Sequence, residues 1–342
     1  ENIKMVNSCN EWDTLKEVFV GNIENPNNPI KGKDLHCINY ADKDNIEDVK
    51  EGYYPEQVIE ETKEDLEELV STLKSFGVTV KRPTTQDNSK VFSNGEWISD
   101  GYYNYCPRDS VVVIGDTIIE SPMALRSRYF ETFSFRNEFI DYMKKGTRWV
   151  TAPKPRLTDD CYQRENLDEL TLTEVEPVFD AANILRCNND ILYLLSNTGN
   201  ELGARWLQNF LGSEYKVHVL RNMYSYVHLD STIALLREGL CLLNPDRVNE
   251  DNMPEVLKSW DKIWCPDMVD IGYYGNYNHA STWIGINLLS LTSNLVICDE
   301  NQLELHKELY KHNIEVIPMK LRHSRTLGGS FHCVTLDTWR EE

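Results

Sequence analysis

The sequence lacks the features that mark several large classes of protein. Its longest apolar stretch, Trp283–Leu291, contains glycine, asparagine and serine and falls well short of the roughly 20 residues that span a membrane. The N-terminal residues show no signal-peptide pattern, and neither a Gly-x-Gly-x-x-Gly fingerprint nor a P-loop occurs. These absences argue against a membrane span and against both types of nucleotide site. We therefore expect a soluble, cytoplasmic protein.

Paired cysteine spacings are also lacking. The chain has 9 cysteines, an odd number, and no two of them form a Cys-x-x-Cys pair. Zinc ribbons and disulfide frameworks are recognised by such spacings and by even numbers of cysteines. We expect free thiols in a reducing compartment.

Positive charge is scarce. The chain has 35 Lys and Arg against 55 Asp and Glu, so its formal net charge is -20. Such a surface repels polyanions, which argues against nucleic acid or an anionic membrane as a partner. A cationic substrate would be attracted, although a solvated surface explains most of these carboxylates.

The sequence does contain a recurring order of secondary structure. A strand is predicted at Glu17–Gly21, and an acidic loop rich in proline, asparagine and glycine follows it, which we assign to the surface or to a lid. The stretch Glu60–Phe76 is predicted to be an amphipathic helix, because apolar residues recur at i, i+3, i+4 and i+7. Gly77 ends this helix and a strand follows at Val78–Val80.

The same helix–turn–strand order recurs along the chain and gives about five units. The further pairs are Arg136–Lys145 with Arg148–Thr151, Gly203–Leu211 with Lys216–Leu220, Met253–Trp260 with Lys262–Cys265, and Gln302–His312 with Ile314–Pro318. Hairpin turns are predicted at Gly115 with Asp116 and at Glu238 with Gly239. The length alone fits two domains or one closed architecture. Helices that alternate with hairpins favour a closed ring of small α/β modules, because closure removes sheet edges.

One stretch near the C-terminus, HSRTLGGSFHCVT at residues 323–335, combines a Gly-Gly pair with Cys333. The glycines allow the backbone to turn or to approach another group closely. Histidine and arginine near a cysteine are typical of a thiol with a lowered pKa and of nucleophilic chemistry. Taken alone, the pattern is explained more simply by a buried cysteine beside a turn.

Three other stretches place polar side chains within apolar strands. They are EVEPVFDAANILR with Asp180, VHLDS with His228 and Asp230 on one side of an extended segment, and YYNYCPRD with Asp109. Each alone is explained by a satisfied buried hydrogen bond, since an unpaired buried charge is costly. Together with Cys333 they predict a shared site. There a thiolate would attack an electron-poor carbon, a histidine would exchange the proton, a carboxylate would orient the imidazole, and the remaining carboxylates would bind a planar cation such as guanidinium.

These stretches resemble the L-arginine amidinotransferases over essentially the whole chain. The motifs that carry the resemblance are NEWDTLKEVFVG, YCPRD, APKP, EPVFDAANILR, HLDST, LLNPDR and HSRTLGGSFHC. Stretches such as GARWLQ, HSRTLGG and VDIGY are more similar to the inosamine-phosphate amidinotransferases than to glycine amidinotransferase. The resemblance implies a single domain over residues 1–342 with the fold of a five-bladed α/β propeller (pentein type). It also implies transfer of the amidino group of L-arginine to an amine, with release of ornithine.

The resemblance further implies a role for each matching site residue. These residues are Cys333 as nucleophile, His228 as general acid and base, Asp180 as its carboxylate partner, Asp109 and Asp230 for the guanidinium, Arg247 and Tyr103 for the substrate carboxylate, and Ser281 beside the substrate. Neither a metal nor an organic cofactor is implied. A homodimer is expected from the habit of the family alone.

Two departures from glycine amidinotransferase concern the second substrate. Ser281 matches one of two adjacent serines, but the other position is Ala280, and Tyr224–Val227 replaces an Asn-Pro-Met stretch before the histidine. These departures argue against glycine as acceptor, and the resemblance points to an aminocyclitol phosphate. A phosphate would need a local basic cluster, for which the candidates are Arg126, Arg128, Arg322 and Arg325. Ordinary surface ion pairs are the simpler interpretation of these arginines.

Several alternatives stay open from the sequence. Glycine amidinotransferase remains one, and hydrolysis of arginine by the same thiol, which would yield citrulline and ammonia, is another. A propeller that serves only as a binding or scaffolding module is disfavoured, because Cys333, His228 and Asp180 occur together. His332 is interpreted as structural, since in an extended segment its side chain would point away from that of Cys333.

Overall fold

The computed structural model describes residues 4–342, and this range contains five three-stranded sheets of one design. In each sheet an antiparallel pair of strands is extended by a third strand that runs parallel to its neighbour. We call each sheet with its associated helix a blade.

Four blades follow the chain order strand, strand, helix, strand. The second blade is Val111–Ile114, Thr117–Glu120, Arg136–Lys144 and Arg148–Thr151; the third is Ile184–Cys187, Asp190–Leu194, Glu201–Leu211 and Lys216–Leu220; the fourth is Ile233–Arg237, Leu240–Leu243, the 3₁₀ turn Glu255–Leu257 and Asp261–Trp264; the fifth is Leu289–Thr292, Leu295–Asp299, Leu303–Lys311 and Glu315–Met319.

The first blade is assembled from both ends of the chain. Thr14–Val20 pairs antiparallel with Thr335–Glu341 and parallel with Thr79–Lys81, and the helix Glu56–Ser75 precedes the third strand. The last strand of the chain thus occupies the place that the first strand takes in the other blades. This pairing joins the end of the chain to its beginning.

Five buried apolar clusters join the blades into a ring. One cluster lies between each adjacent pair: first with second, second with third, third with fourth, fourth with fifth, and fifth with first. The alternation of side chains along a strand explains this arrangement. In the fourth blade, Leu235 packs in the cluster shared with the third blade, whereas Leu236 packs in the cluster shared with the fifth. Each sheet therefore buries both faces against its neighbours.

These features confirm the five-bladed α/β propeller predicted from the sequence. The two predicted hairpin turns are also confirmed, because Ile114 pairs with Thr117 and Arg237 with Leu240. Gly115 and Gly239 have φ values of 60° and 85° in these turns, a conformation that favours glycine.

Some predicted bounds were wrong. The long helix begins at Glu56 rather than Glu60, directly after Pro55, whose ψ of 144° ends the preceding loop. The helix predicted at Met253–Trp260 is only a 3₁₀ turn, in which the amide of Leu257 bonds the carbonyl of Pro254. Short 3₁₀ turns, in which residue i bonds residue i+3, are common connectors. This one connects the preceding loop to the strand Asp261–Trp264.

Short elements occupy the long connections. They are the strand pairs Asn27–Asn28 with Gly52–Tyr53 and Phe92–Ser93 with Ile98–Ser99, the helices Lys33–Cys37, Pro107–Ser110 and Ser324–Leu327, and the 3₁₀ turns Arg126–Arg128, Glu131–Phe135, Asp159–Cys161, Ala181–Asn183 and Thr282–Ile286. Part of the predicted surface loop is buried, since Leu35 and Cys37 pack in an apolar cluster. Between residues 4 and 342, no helix combines the length and the apolar character needed to cross a membrane.

Candidate active site

Each blade places a polar side chain shortly before the edge strand of its antiparallel pair. These residues are Asp109 before Val111–Ile114, Asp180 before Ile184–Cys187, Asp230 before Ile233–Arg237, Asn287 before Leu289–Thr292, and Cys333 before Thr335–Glu341. The edge strands hold equivalent places in the ring, so the segments that lead into them converge. Side chains from all five blades therefore meet in one site.

Cys333 is buried, with 2% of its surface exposed. Its Sγ lies 3.2 Å from Asp230 Oδ2 and 3.2 Å from Asn287 Nδ2. A hydrogen bond with Cys106, then burial and the nearby carboxylates, raise the pKa of the Cys333 thiol well above its usual range. In the protein without substrate the thiol is therefore protonated at neutral pH.

The Gly-Gly pair next to this cysteine has a defined steric task. A Cβ on Gly329 would lie 2.5 Å from Cys106 Sγ and 2.8 Å from Cys333 Cβ, so no larger residue fits there. Gly328 has a φ of 91°, in the left-handed region, and ends the short helix Ser324–Leu327. These glycines shape the turn that carries Cys333.

His228 stands between two carboxylates. Its Nε2 is 2.7 Å from Asp180 Oδ2, and its Nδ1 is 3.6 Å from Asp109 Oδ1. Burial lowers the pKa of His228, but Asp109, Asp180 and Asp230 outweigh burial and raise this pKa to about 9. The imidazole is therefore protonated at neutral pH and can act as an acid.

Asp109 is incompletely paired although it is buried. Its Oδ2 accepts a hydrogen bond of 2.9 Å from Arg128, whereas its Oδ1 is buried and has no hydrogen-bond partner among residues 4–342. Arg128 is itself held by both carboxylate oxygens of Glu131, at 2.8 and 2.7 Å. Burial raises the pKa of Asp109, against the opposing effects of His228 and Arg128. A buried acceptor of this kind has room for a cationic donor.

Two small cavities adjoin His228. The first, of about 50 Å³, is lined by Asp109, Asp180 and Tyr103, and the second, of about 30 Å³, is lined by Asp230, Cys333 and Ser281. His228 lines both.

A large cleft of about 1240 Å³ adjoins these cavities and shares Tyr226 and His279 with each of them. Burial lowers the pKa of His279 to about 4, so its ring is neutral at neutral pH. The site thus has an inner part of a size suited to a guanidinium and an outer part with room for a second molecule.

The residues expected at the substrate carboxylate lie at the edge of the inner site. The guanidinium of Arg247 stacks on the ring of Tyr224 at 3.6 Å, and its Nη2 donates to Ser281 Oγ at 3.2 Å. The hydroxyl of Tyr103 donates to the carbonyl of Leu327 at 2.8 Å, so this donor is already engaged.

The segment that carries His228 and Asp230 was predicted to be extended, and that prediction was wrong. The chain bends there, and the amide of Leu229 donates to the carbonyl of Ala182 at 3.0 Å. Leu229 is fully buried in the cluster between the third and fourth blades. Its burial holds the bend, while the polar residues on either side of it reach the site.

The four candidate arginines form no phosphate-binding cluster, because each is paired with carboxylates. The pairs are Arg126 with Asp159, Arg128 with Asp109 and Glu131, Arg322 with Glu61, Glu64 and Asp65, and Arg325 with Asp270. Only Arg325 of these four lines the large cleft. Three of these arginines are nevertheless buried rather than at the surface.

Sequence reasoning missed Asn287. Its Oδ1 accepts hydrogen bonds from the backbone amides of His332 and Cys333, both at 3.0 Å, while its Nδ2 donates to the sulfur. The sequence did contain a signal for Asn287: a polar residue precedes the corresponding edge strand in every blade. Sequence reasoning did not use this recurrence. Between residues 4 and 342, no group of three or more His, Cys, Asp or Glu is arranged to hold a metal ion.

Comparison with known proteins gives the class. No family model matches the chain. The chain is 48% identical over 339 residues to inosamine-phosphate amidinotransferase 1 of Streptomyces glaucescens, which covers 99% of this chain and 97% of that protein. It is 35% identical over 342 residues to L-arginine:L-lysine amidinotransferase of Pseudomonas savastanoi pv. phaseolicola, covering 97% and 94% respectively.

Comparison with solved structures gives the same class. The solved inosamine-phosphate amidinotransferase of Streptomyces griseus superposes with a TM-score of 0.98 at 47% identity, over 99% of this chain and 98% of that chain. The chain therefore belongs to the amidinotransferase family and is a transferase. The resemblance drawn from its motifs is confirmed.

Proposed function

We propose that this amidinotransferase moves the amidino group of L-arginine to the amine of an aminocyclitol phosphate, through an intermediate on Cys333. The observation that supports this most directly is the placing of Cys333 and His228 among buried carboxylates that have unused acceptor oxygens. The likeness to the inosamine-phosphate amidinotransferase of Streptomyces glaucescens supports the choice of acceptor.

The arginine guanidinium would lie between Asp109 and Asp230. Asp109 offers the buried oxygen that has no hydrogen-bond partner. The bonds that Asp230 accepts from His332 and Cys333 both use Oδ2, which leaves its Oδ1 for the substrate. Carboxylates on a guanidinium form the strong, charge-assisted class of hydrogen bond. The substrate cation would also lower the pKa of the Cys333 thiol, so the thiolate would form when arginine is bound.

In the first half-reaction the sulfur of Cys333 attacks the guanidino carbon and a C–S bond forms. The C–N bond to the ornithine portion breaks as His228 donates a proton to the leaving nitrogen. The thiol proton leaves to solvent when the thiolate forms, so His228 is neutral after this step and can accept a proton in the next. Ornithine departs, and the amidino group remains on sulfur as a cation that the carboxylates stabilise.

In the second half-reaction the acceptor amine loses a proton to His228 and attacks the amidino carbon. The C–S bond breaks, the guanidinylated product leaves, and the thiol recovers its proton. Asp180 keeps the imidazole oriented in both steps through its 2.7 Å bond to Nε2.

The large cleft supports transfer over hydrolysis. Its volume of about 1240 Å³ far exceeds what a water molecule requires, and it adjoins the cavities at His228. Lys43 and Arg325 are the basic residues of its lining, and Arg325 is bonded to Asp270 at 2.7 Å. We therefore assign the phosphate of the acceptor to the region of Lys43.

The test is to incubate the protein with arginine and one amine at a time and to measure ornithine and the guanidinylated product by mass. The amines are an aminocyclitol phosphate, the same aminocyclitol without phosphate, lysine, glycine and none. We expect ornithine to form fastest with the phosphorylated aminocyclitol, and Lys43→Ala to slow this acceptor more than the unphosphorylated one. Citrulline and ammonia formed at the same rate with and without amines would instead identify a hydrolase.

A second measurement addresses the intermediate. With arginine alone, the intact protein should gain about 42 Da at Cys333, the mass of an amidino group that replaces hydrogen. A rapidly quenched sample that shows turnover without this adduct would contradict the assignment of Cys333.

A further inference from the structure

His332, the residue before Cys333, lies between two carboxylates. Its Nδ1 is 2.8 Å from Asp230 Oδ2 and its Nε2 is 2.8 Å from Glu11 Oε1, and the residue is 8% exposed. An ionised carboxylate only accepts hydrogen bonds, so both ring nitrogens must donate. Only the imidazolium carries two N–H groups. The geometry therefore specifies a buried cation beside the site.

The interpretation of His332 as purely structural rested on an extended backbone, and that premise was wrong. Residues 331–334 form a turn, so the neighbouring side chains of His332 and Cys333 reach the same atom, Asp230 Oδ2. The carbonyl oxygen of the Asn287 side chain holds the turn through the amides of both residues. A chain of contacts thus runs from Cys333 through Asp230 and His332 to Glu11.

Glu11, at the far end of this series of contacts, is held in place by Arg186. Glu11 Oε2 accepts a hydrogen bond of 2.7 Å from Arg186 Nε, which keeps Glu11 ionised and in place. The other charged group that faces His332 is Arg108, whose Nε donates to the carbonyl of His332 at 3.3 Å.

Burial and Arg108 lower the pKa of His332, but the bonds to Asp230 and Glu11 outweigh both and raise it. For Asp230, burial raises the pKa, whereas His332 and then His228 lower it to about 2. These opposite shifts are consistent with an ion pair between His332 and Asp230.

We propose that His332 is a positioning residue for amidino transfer: held as a cation by Glu11, it fixes one oxygen of Asp230 and offsets that carboxylate's charge beside Cys333. The other oxygen of Asp230 then faces the substrate in a fixed orientation. Without the cation, an uncompensated carboxylate 3.2 Å from the sulfur disfavours the thiolate. The proposal rests on the assignment of Cys333 as the nucleophile.

The first test measures Cys333 directly, without substrate. The variant His332→Gln keeps hydrogen-bonding capacity but carries no charge, and the rate at which iodoacetamide alkylates Cys333 at pH 8 is followed by peptide mass. We expect alkylation about tenfold slower than in the unchanged protein, as an upward shift of one pKa unit requires. We expect kcat to fall by a similar factor and the KM for arginine to change less.

The matched control is His218→Gln. His218 also bonds a carboxylate, Asp190, at 2.7 Å, but it lies on the third strand of the third blade and lines none of the cavities of the site. The His218→Gln variant should therefore have the same alkylation rate and kcat as the unchanged protein. If His332→Gln melts like the unchanged protein yet alkylates at the same rate, the proposal is overturned.

Two further measurements decide the outcome if His332→Gln does not fold. Glu11→Gln still accepts a bond from Nε2 but removes its charge, and it should slow alkylation in the same direction by a smaller factor. In the unchanged protein, the ring nitrogens of His332 observed by ¹⁵N NMR should both be protonated from pH 6 to pH 8. A neutral ring at pH 7 would refute the proposal without any variant.

These outcomes are separable from failure of the proposed function. If complete alkylation of Cys333 leaves turnover intact, Cys333 is not the nucleophile and the proposed function fails. If alkylation abolishes turnover but His332→Gln matches the control variant, only the role of His332 fails.

Discussion

Asp337 and Asp109 are both buried carboxylates, with 0% and 2% of their surfaces exposed, and their surroundings differ in kind. Asp337 accepts hydrogen bonds from three arginines, Arg108 at 2.5 Å, Arg186 at 2.8 Å and Arg340 at 2.7 Å. Asp109 accepts one such bond, from Arg128, and its second oxygen has no hydrogen-bond partner in the described chain, with His228 Nδ1 3.6 Å away.

The pKa shifts of the two carboxylates follow from this difference. Burial raises the pKa of each, but the arginines around Asp337 reverse the effect and hold its pKa well below the usual range. The pKa of Asp109 stays raised, because Arg128 and His228 compensate burial only in part. Removing a fully paired buried charge leaves its partners uncompensated and destabilises the fold, whereas a charge left partly unpaired is available to a cationic substrate.

The largest effect should come from Cys333, the proposed nucleophile, which lies in the site with Asp109. Cys333→Ala should lower turnover at least about 10⁴-fold, because the covalent step is lost. The melting temperature should change little, since the substitution removes one atom from a small cavity. The rate of ornithine formation, followed by mass, and the melting temperature, followed by circular dichroism, test this expectation. Residual activity within tenfold of the unchanged protein would show that Cys333 does not carry the amidino group.

The two carboxylates themselves give the next test. Asp337→Asn should cost about 3–5 kcal/mol of unfolding free energy in urea, because it leaves arginines buried without their counter-charge. Asp109→Asn should cost much less stability, since Arg128 keeps its two bonds to Glu131 and is not left without a counter-charge. It should instead lower kcat/KM for arginine about 10²- to 10³-fold. Equal losses of stability in the two variants would remove the distinction between them.

Proton linkage at His228 should give a smaller effect on stability. Its folded pKa of about 9 lies above the ordinary value of 6.5. The folded protein therefore holds a proton that the unfolded chain has released. The resulting stability is fully present below pH 6.5 and is lost as the pH rises through about 9, an effect on the order of 3 kcal/mol.

Urea midpoints measured between pH 6 and pH 9.5 test this linkage. The fall should be smaller in His228→Gln, which cannot bind the proton, and should end at lower pH in Asp109→Asn, which removes one of the carboxylates that raise this pKa. A fall of the same size in His228→Gln would assign the linkage to other groups.

The smallest effect should be at the edge of the inner site. Arg247→Lys loses the planar stack on Tyr224 and the fork of bonds to Ser231 and Ser281, so arginine should bind more weakly. We expect the KM for arginine to rise about tenfold with kcat nearly unchanged, the signature of lost uniform binding. A drop in kcat with KM constant would place Arg247 closer to the reacting atoms than this geometry does.

Much of this molecule could be predicted from local patterns. Helices that alternate with hairpins indicated the ring, because amphipathic periodicity and turn residues are written in neighbouring positions. Failures occurred where distant contacts decide the local conformation. The bend at His228 is held by burial of Leu229 between two blades, and the turn at His332 is held by Asn287 of the fifth blade. Neither contact has a signal in the adjacent residues.

The sequence by itself determined the class of fold and the chemical types available to the site: a thiol, an imidazole and several acids placed before apolar strands. Those facts depend on the order of residues and on local periodicity. Only the tertiary structure decided which acids are paired and which are left open. That outcome depends on arginines far away in the chain, such as Arg108 and Arg186 around Asp337. It also depends on Arg128, a candidate phosphate ligand in the sequence analysis, which instead holds Asp109. The free energy of a buried charge is set by its partners in space, and the ring brings those partners together from all five blades.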